Sequence, residues 1–327
     1  MKENGQLRIG SRGSPLALAQ TGKVIQTLKN IHSRLREKNA IEIIVINTTG
    51  DRIRNQLLAE LGGKGLFTKE LDEALFRKEI DIAVHSMKDV PTVLPEGIVL
   101  HAIMTREDVR DAFVSSKAAS LKDLPPDSSI GTASLRRKSQ ILNCRPDLRI
   151  VPLRGNVDTR LKKIKEGEID ATLLAYAGLK RLGRNNVVTE LIDTSVILPA
   201  VGQGALAATC LESDPHANNY LTSLWELPTA ASILAERAML AVLDGSCHTP
   251  IGGLARPDGQ GNLKLHGLIT SPDGTEKVDG TDTAPITDAE NLGKTVGERL
   301  LTKAGRDILR STKNELPIFI PPHPEGE

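Results

Sequence analysis

The sequence predicts an α/β protein with two lobes built on mixed sheets and a smaller α+β domain. In the first two thirds of the chain, short apolar runs alternate with segments of helical spacing. This alternation comes in two successive sets, which favours two lobes that face each other across a cleft. After about residue 218 the pattern changes to one long helical stretch and to strand-like segments broken by Asp-Gly turns. In layered α/β sheets, ligands bind beyond the carboxyl ends of the strands.

The first set begins with a strand at residues 7–9 and a turn at 10–13, followed by a helix that Ser14 caps and Pro15 opens. Residues 41–46 form a continuous apolar run of the kind that buried strands show. Apolar spacing then predicts a helix over 67–77 and strands over 80–84 and 98–104.

The second set predicts strands at 112–114, 130, 148–153 and 171–174, with helices near 135–142 and 157–165. A charged segment at 105–111 and a Pro/Gly-rich segment at 199–205 are the places where the chain can cross between lobes. We therefore assign residues 1–104 and about 205–222 to lobe 1, and 105–204 to lobe 2. Residues 223–315, with a helix over 230–243 and a strand over 263–269, form the third domain, and 316–327 are expected to be a disordered tail.

Composition argues against several classes of protein. The chain has 327 residues, with 42 Lys and Arg against 41 Asp and Glu, so its net charge is only +1. This balance and an aromatic content of 2% argue against a nucleic-acid binder. No apolar run approaches the roughly 20 residues that span a bilayer. Three widely spaced cysteines and the lack of an apolar leader predict a cytoplasmic protein, and the scattered histidines give no metal site.

Arginines are concentrated at two strand-to-helix junctions. Arg136 and Arg137 follow one predicted strand, and Arg154 and Arg160 follow the next. Helix N-termini offer N–H groups and partial positive charge, and guanidinium forks match carboxylates or phosphates. Because the net charge is near zero, this positive charge is local and indicates a site for a strongly anionic ligand. Charges about 4 Å apart interact by roughly 4 kcal/mol at moderate dielectric, so the arginines would repel unless an anion or an interleaved acid lay among them.

Other polar residues lie at comparable positions. Lys88 and Asp89 follow a predicted strand, where an acid can stabilise a cation or transfer a proton; as a surface ion pair they would contribute only about 0–1 kcal/mol. Arg12 lies at the first turn beside Ser14, where a solvated arginine and a capping serine are the plainer interpretation. The remaining candidates at turns and helix ends are Thr132, Ser134, Asn156 and Arg181, the last with a helix-end cap as its alternative role.

Two loops rich in glycine complete the set of candidates. Cys247 lies in a Gly/Pro-rich loop, where an accessible thiolate is a nucleophile, although a lone cysteine is more often inert. The Gly-Gly-Lys-Gly segment at 62–65 is too short for a phosphate-binding loop and fits a mobile loop that includes Lys64 and Phe67.

Together these segments closely resemble the porphobilinogen deaminase family. The resemblance covers about residues 5–310 and rests on long motifs in the family's order. They are RIGSRGSPLALAQ (8–20), GGKGLF (62–67), AVHSMKDVP (83–91), GTASLRR (131–137), LRGNVDTR (153–160), PAVGQGA (199–205) and GSCHTPIGG (245–253). One departure is Glu60, where many members carry a lysine; it questions a basic role at that loop position and leaves the arginines unaffected.

The resemblance implies a fold and a reaction. The fold has two lobes similar to periplasmic binding proteins and a third domain whose cysteine, Cys247 here, carries a dipyrromethane cofactor through a thioether. The reaction is that of a transferase in tetrapyrrole (heme) biosynthesis, which condenses four porphobilinogen molecules head to tail, with loss of ammonia, into hydroxymethylbilane. Porphobilinogen is thus the expected small-molecule partner, and we expect a monomer that binds neither nucleic acid nor membrane.

The resemblance also implies roles for individual residues. Asp89 matches the family's catalytic acid, and Lys64 with Phe67 matches a mobile loop over the cleft. The positions that match carboxylate-binding residues are Arg12, Ser14, Lys88, Arg136, Arg137, Arg154, Arg160 and Arg181. The alternative is a bilobal module that binds small anions without catalysis, which would release no ammonia from porphobilinogen.

Overall fold

The computed structural model describes residues 6–49, 67–245 and 249–315 and confirms the α/β class. Its strands are β1 (Leu7–Arg12), β2 (Ile41–Ile46), β3 (Ile82–Ser86), β4 (Ile98–Ile103), β5 (Asp111–Ser115), β6 (Ser129–Gly131), β7 (Arg149–Val151), β8 (Ala171–Ala175), β9 (Glu190–Leu191), β10 (Leu206–Leu211), β11 (Ile251–Pro257), β12 (Asn262–Thr270) and β13 (Lys277–Pro285). Its helices are α1 (Pro15–Ile31), α2 (Lys69–Phe76), α3 (Leu135–Cys144), α4 (Val157–Lys165), α5 (Tyr176–Arg181), α6 (Pro215–Thr222), α7 (Leu227–Val242), α8 (Ala289–Leu300) and α9 (Lys303–Glu315).

Two five-stranded sheets share one topology. The first has the order β2-β1-β3-β10-β4, and the second has the order β7-β6-β8-β5-β9. In the first, β1 is parallel to both β2 and β3, while β10 is antiparallel to both its neighbours. In the second, β6 is parallel to both β7 and β8, while β5 is antiparallel to both its neighbours. Each antiparallel strand is the first one that the chain forms after a crossing segment, and β10 lies in the first sheet after the long excursion through the second.

The beginning of the first sheet follows the sequence pattern closely. Ser14 is the N-cap of α1, its Oγ accepts a hydrogen bond from Ala17 N at 3.2 Å, and Pro15 opens the helix, which confirms the predicted start. The strand at 41–46 has the predicted bounds. Its expected burial is wrong for Ile43 and Val45, which are 44% and 52% exposed, because β2 is an edge strand with only one face covered.

The third sheet, β11-β12-β13, is an antiparallel meander. Its apolar face, which includes Leu265 and Ile269, packs in one cluster with Met239 of α7 and Val296 of α8. Both predicted Asp-Gly turns connect its strands, and Gly259 and Gly274 in these turns have φ values of +78° and +77°. The predicted tail at 316–327 lies outside the described residues.

Candidate functional site

Parallel strands of the first sheet bring several candidates to one edge. Because β1 and β3 run side by side, Arg12 at the end of β1 lies near the residues that follow β3. Those residues form a single 3-10 turn, Met87–Asp89, in which Lys88 and Asp89 are half-buried. The Arg12 guanidinium carbon lies 4.2 Å from the centre of the Phe67 ring, a cation–π contact.

The second crossing segment, residues 199–205, holds this turn in place. Met87 N donates to Ala205 O at 3.1 Å, and Gly202 packs directly on the turn. A Cβ at Gly202 would lie 2.9 Å from Met87 Cγ and 3.1 Å from Lys88 N, and its φ of +76° also favours glycine. Gly202, the first glycine of the PAVGQGA motif, is therefore required for the close approach of two backbones beside Lys88.

In the second lobe, Arg136 and Arg137 lie in the first turn of α3 and bond a buried carboxylate that the sequence patterns did not indicate. Asp111 opens β5, and its side chain is fully buried. Arg136 Nη2 donates to Asp111 Oδ2 at 2.8 Å, and Arg137 Nη2 donates to Oδ1 at 2.7 Å. Gln203 Nε2 also donates to Oδ1, at 2.9 Å. Although burial raises the pKa of Asp111, the two guanidiniums lower it well below its usual value.

Asp111 is thus the interleaved acid that crowded arginines require. The signal in the sequence was a single acidic residue at the head of the apolar run 112–114, which is an unusual place for a charge unless it is paired. Sequence reasoning also missed Gln203, which lies in the crossing segment and bonds both Asp111 and Val109 O.

The electrostatics bring the cations of both lobes together. Burial lowers the pKa of Lys88 to about 8; Asp89 opposes the shift, and Arg137 and Arg136 of the other lobe add to it. Burial, together with repulsion from Arg137 and Arg154, lowers the pKa of Arg160 to about 10. These interactions join the first lobe to both arginine junctions of the second. Lys88 therefore lies within electrostatic range of Arg136 and Arg137, and Arg137 lies within range of Arg160, near the carboxyl ends of the parallel strands.

Arg181 and Arg160 are also held by backbone carbonyls. Arg181 at the end of α5 donates from Nη2 to Gly204 O at 2.5 Å, in the second crossing segment. Arg160 Nε donates to Gly155 O at 2.9 Å, so the guanidinium folds back over the turn that precedes α4. Such contacts restrict the rotamers of long side chains before any ligand arrives.

The side chains predicted to make polar contacts form hydrogen bonds at the beginnings of helices. Ser134 Oγ accepts from Arg137 N at 3.4 Å, and Asn156 Oδ1 accepts from Thr159 N at 2.8 Å, so both are N-caps. Thr132 is buried, and its Oγ1 accepts from Ser134 N at 3.1 Å. Together with the Ser14 cap, these bonds fix the helix N-termini that carry the arginines.

Three residues singled out from the sequence, Cys247, Lys64 and Glu60, lie outside the described residues. The described chain flanks the cysteine loop at Gly245 and Thr249. Within residues 6–49, 67–245 and 249–315, no three His, Cys, Asp or Glu side chains are grouped to hold a metal ion. No helix in the same part of the chain is long and apolar enough to cross a membrane.

Comparison with known proteins gives one consistent result. Residues 7–219 match the family model "Porphobilinogen deaminase, dipyromethane cofactor binding domain", and residues 230–302 match "Porphobilinogen deaminase, C-terminal domain". The chloroplastic porphobilinogen deaminase of Pisum sativum is 53% identical over 308 residues, covering 93% of this chain and 84% of the pea protein. Porphobilinogen deaminase of Nitrobacter winogradskyi is 50% identical over 297 residues, covering 91% of this chain and 93% of the bacterial protein.

Among solved structures, the methionine-binding protein MetQ overlaps with 67% of this chain and 89% of its own, at 12% identity and a TM-score of 0.43. The two family models together span most of the described residues, and the sequence relatives cover the same range. The chain therefore belongs to the porphobilinogen deaminase family.

Proposed function

We propose that this chain is a transferase that condenses four porphobilinogen molecules head to tail, releasing ammonia, into the linear tetrapyrrole hydroxymethylbilane. The observation that carries the proposal is a cluster of cations from both lobes. Asp111 holds Arg136 and Arg137 side by side, Lys88 of the other lobe lies within electrostatic range of both, and Arg160 lies within range of Arg137. A pyrrole chain whose rings each bear an acetate and a propionate gains carboxylates as it lengthens. Charge-assisted hydrogen bonds contribute roughly 1.5–3 kcal/mol each, so clustered cations suit such a ligand.

The residues present fit a dipyrromethane cofactor. The donor set is made of guanidiniums and an ammonium, which match carboxylates, and their mutual repulsion is only partly relieved by Asp111. Cys247 is the proposed attachment point. When bound, the cofactor supplies the pyrrole carbon to which the first substrate is joined. The residues proposed to hold its carboxylates and those of the substrate are Arg12, Ser14, Lys88, Thr132, Ser134, Arg136, Arg137, Arg154, Asn156, Arg160 and Arg181. Lys64 and Phe67 are proposed to belong to a mobile loop.

Asp89 is the proposed catalytic acid. Its half-buried carboxylate follows β3 at the cleft edge, next to Lys88. A carboxylate there accepts hydrogen bonds from substrate pyrrole N–H groups and stabilises the positive charge that develops as ammonia leaves. It also exchanges a proton with the leaving amine and with the carbon that loses hydrogen on condensation.

We also propose that the chain acts in the cytoplasm as a monomer and without nucleic acid. The near-zero net charge supports the last point. The pea relative is named chloroplastic, whereas the Nitrobacter name carries no compartment. Light scattering on the purified chain and its location in the source cell test these two assignments.

Intact mass and turnover measured together test the proposed function. Purified protein is expected to carry a mass increment of two linked pyrrole units and to release ammonia from porphobilinogen. Cys247→Ser is expected to lack the increment, because the thioether cannot form. Asp89→Asn is expected to fold and keep the increment yet lose at least 90% of turnover, because only the carboxylate stabilises the developing charge.

The same measurements identify the competing outcomes. An unmodified and fully active wild-type protein would refute the tethered mechanism. Wild-type rates in Asp89→Asn would remove that residue from catalysis. Binding of porphobilinogen without ammonia release would instead support an anion-binding module.

A further inference from the structure

Asp111 lies where α3 and the two crossing segments meet. It is both the last residue of the first crossing segment, 105–111, and the first residue of β5, and its side chain is fully buried. Two of its partners, Arg136 and Arg137, belong to α3, and the third, Gln203, belongs to the second crossing segment. One carboxylate therefore connects α3 with both crossing segments.

Arg136 and Arg137 bond Asp111 in different ways. Arg136 donates from Nη2 to Asp111 and from Nη1 to Leu198 O at 2.7 Å, so both ends of its guanidinium bond residues of this chain. Arg137 instead bonds Asp111 through Nε at 3.2 Å and Nη2 at 2.7 Å, which is a single fork on one edge. A guanidinium has five N–H donors in one plane, so fixing one edge also fixes the direction of the other.

Arg137 also lies among other cations. Its charge lowers the pKa values of both Arg160 and Lys88, so its guanidinium is within electrostatic range of these two side chains. Without a buried anion behind it, Arg137 would be pushed away from these neighbours by like-charge repulsion. Asp111 therefore supplies both the counter-charge and the geometry.

Further hydrogen bonds link this cluster to the crossing segments. Gln203 Nε2 bonds Val109 O at 2.7 Å as well as Asp111, and Gln140 bonds Leu198 through both its Nε2, at 3.0 Å, and its Oε1, at 2.7 Å. These bonds tie the Asp111 cluster to Val109 in the first crossing segment and to Leu198, directly before the second. The orientation of Arg137 is consequently linked to the relative arrangement of the crossing segments.

We propose that Asp111 is a positioning residue for carboxylate binding: it presents one edge of Arg137 to pyrrole carboxylates and, through Gln203, couples that orientation to the second crossing segment. The inference rests on the proposed function, since it takes the carboxylates of porphobilinogen and its oligomers as the ligand. Asp111 does not touch the ligand itself. Its effect is exerted before binding, by removing the rotamers of Arg137 that cannot bind.

The test compares Asp111→Asn with a matched control, Asp81→Asn. Asp81 forms the comparable pair with Arg8, in which both side chains are less than 20% exposed, at the opposite end of β1 from Arg12. We expect Asp111→Asn to raise the KM for porphobilinogen at least tenfold, with a less than threefold change in kcat per cofactor-loaded chain. We also expect fewer than half of its chains to carry the two-pyrrole mass increment. Asp81→Asn is expected to lower the melting temperature while KM and the loaded fraction stay within twofold of wild type.

The outcomes separate the inference from the function on which it rests. If wild-type protein releases no ammonia, the proposed function fails. If wild-type protein is active and Asp111→Asn keeps a normal KM and loaded fraction, only the positioning role is overturned. Should Asp111→Asn not fold, Gln203→Met decides the question, because it removes the bonds from Nε2 to Asp111 and Val109 O at similar volume. A KM rise of less than threefold overturns the inference, whereas a threefold or larger rise supports it.

Discussion

At the scale of single residues, burial decides what each charged group can do. Lys88 and Arg160 are half-buried and Asp111 is fully buried, and the pKa values of these three groups respond differently. Burial and neighbouring cations lower the pKa values of Lys88 and Arg160, whereas those cations overcome burial at Asp111. Only Lys88 is thereby brought within the range where its charge changes near physiological pH.

Lys88 is expected to impose an upper pH limit on substrate binding. Its pKa is lowered from 10.5 to about 8, so it is protonated below that pH and loses its charge as pH rises through it. Loss of a charge-assisted hydrogen bond weakens binding by roughly 1.5–3 kcal/mol, so a group with a pKa of about 8 is expected to raise KM about 8- to 25-fold between pH 7 and pH 9.5. The KM for porphobilinogen measured across this range checks the prediction.

Lys88→Arg is the control for this pH profile. Arginine stays charged throughout the range, so its KM is expected to remain flat above pH 8 whatever its value at pH 7. An equal rise of KM in both proteins would attribute the titration to another group, or to the substrate amine.

At the scale of elements, the third domain reaches the arginine helix through one turn. Gly274, between β12 and β13, accepts a hydrogen bond from Asn143 Nδ2 of α3 at 2.7 Å. Its backbone lies so close to that helix that a Cβ would be 2.5 Å from Asn143 N and 2.6 Å from Ser139 O. This docking connects the domain that carries the cysteine loop with the helix that carries Arg136 and Arg137.

Gly274→Ala is therefore expected to destabilise the protein more than Gly259→Ala. Both glycines have nearly the same positive φ, so both substitutions cost about 1–2 kcal/mol of backbone strain. Only at Gly274 does the new methyl group also meet backbone atoms, whereas nothing lies within 4 Å of a Cβ at Gly259. Overpacking adds about 1–3 kcal/mol to the loss at Gly274. Urea unfolding of the two variants checks this, and equal losses would mean that the turn does not dock on α3.

At the scale of the whole molecule, one buried ion pair links both crossing segments to the third domain. Glu236 of α7 is fully buried and receives two hydrogen bonds from Arg106 in the first crossing segment, at 2.6 and 3.1 Å. The same carboxylate accepts from Gly202 N in the second crossing segment and from Ala255 N in β11, both at 2.8 Å. Both crossings and the third domain are thus fixed to a single group.

Removing that carboxylate is expected to weaken the whole fold. Glu236→Gln leaves the Arg106 guanidinium, 11% exposed, without its counter-charge, which costs about 3–5 kcal/mol of unfolding free energy. Glu73→Gln is the control, because Glu73 is 46% exposed and its pairs with Lys69 and Arg77 span 4.0 and 3.6 Å. That control is expected to lose about 0–1 kcal/mol. Similar losses in thermal or urea unfolding would contradict a central role for Glu236.

Much of the local structure followed from the sequence. The α1 start at Ser14 and Pro15, the strand at 41–46 and the helix at 157–165 agree with the pattern, because caps, apolar runs and helical spacing act over a few residues. The arginine motifs could be recognised for the same reason, since the strand-to-helix junctions that hold them are local. The helices α5, α6, α8 and α9 were not predicted, although α8 has a clear helical pattern in which the buried residues Leu292, Val296 and Leu300 are four positions apart.

The sequence by itself determined the α/β class, the family and the groups able to carry the chemistry, since these depend on residue type and short-range spacing. Only the tertiary structure decided that Asp111 lies between Arg136 and Arg137, that Gln203 reaches it across 92 positions of the chain, and that Lys88 shares a field with the arginines of the other lobe. The reason is physical: the charge of a buried group depends on its neighbours in space. The chain crosses between the lobes twice, and these crossings bring together residues that are far apart in sequence.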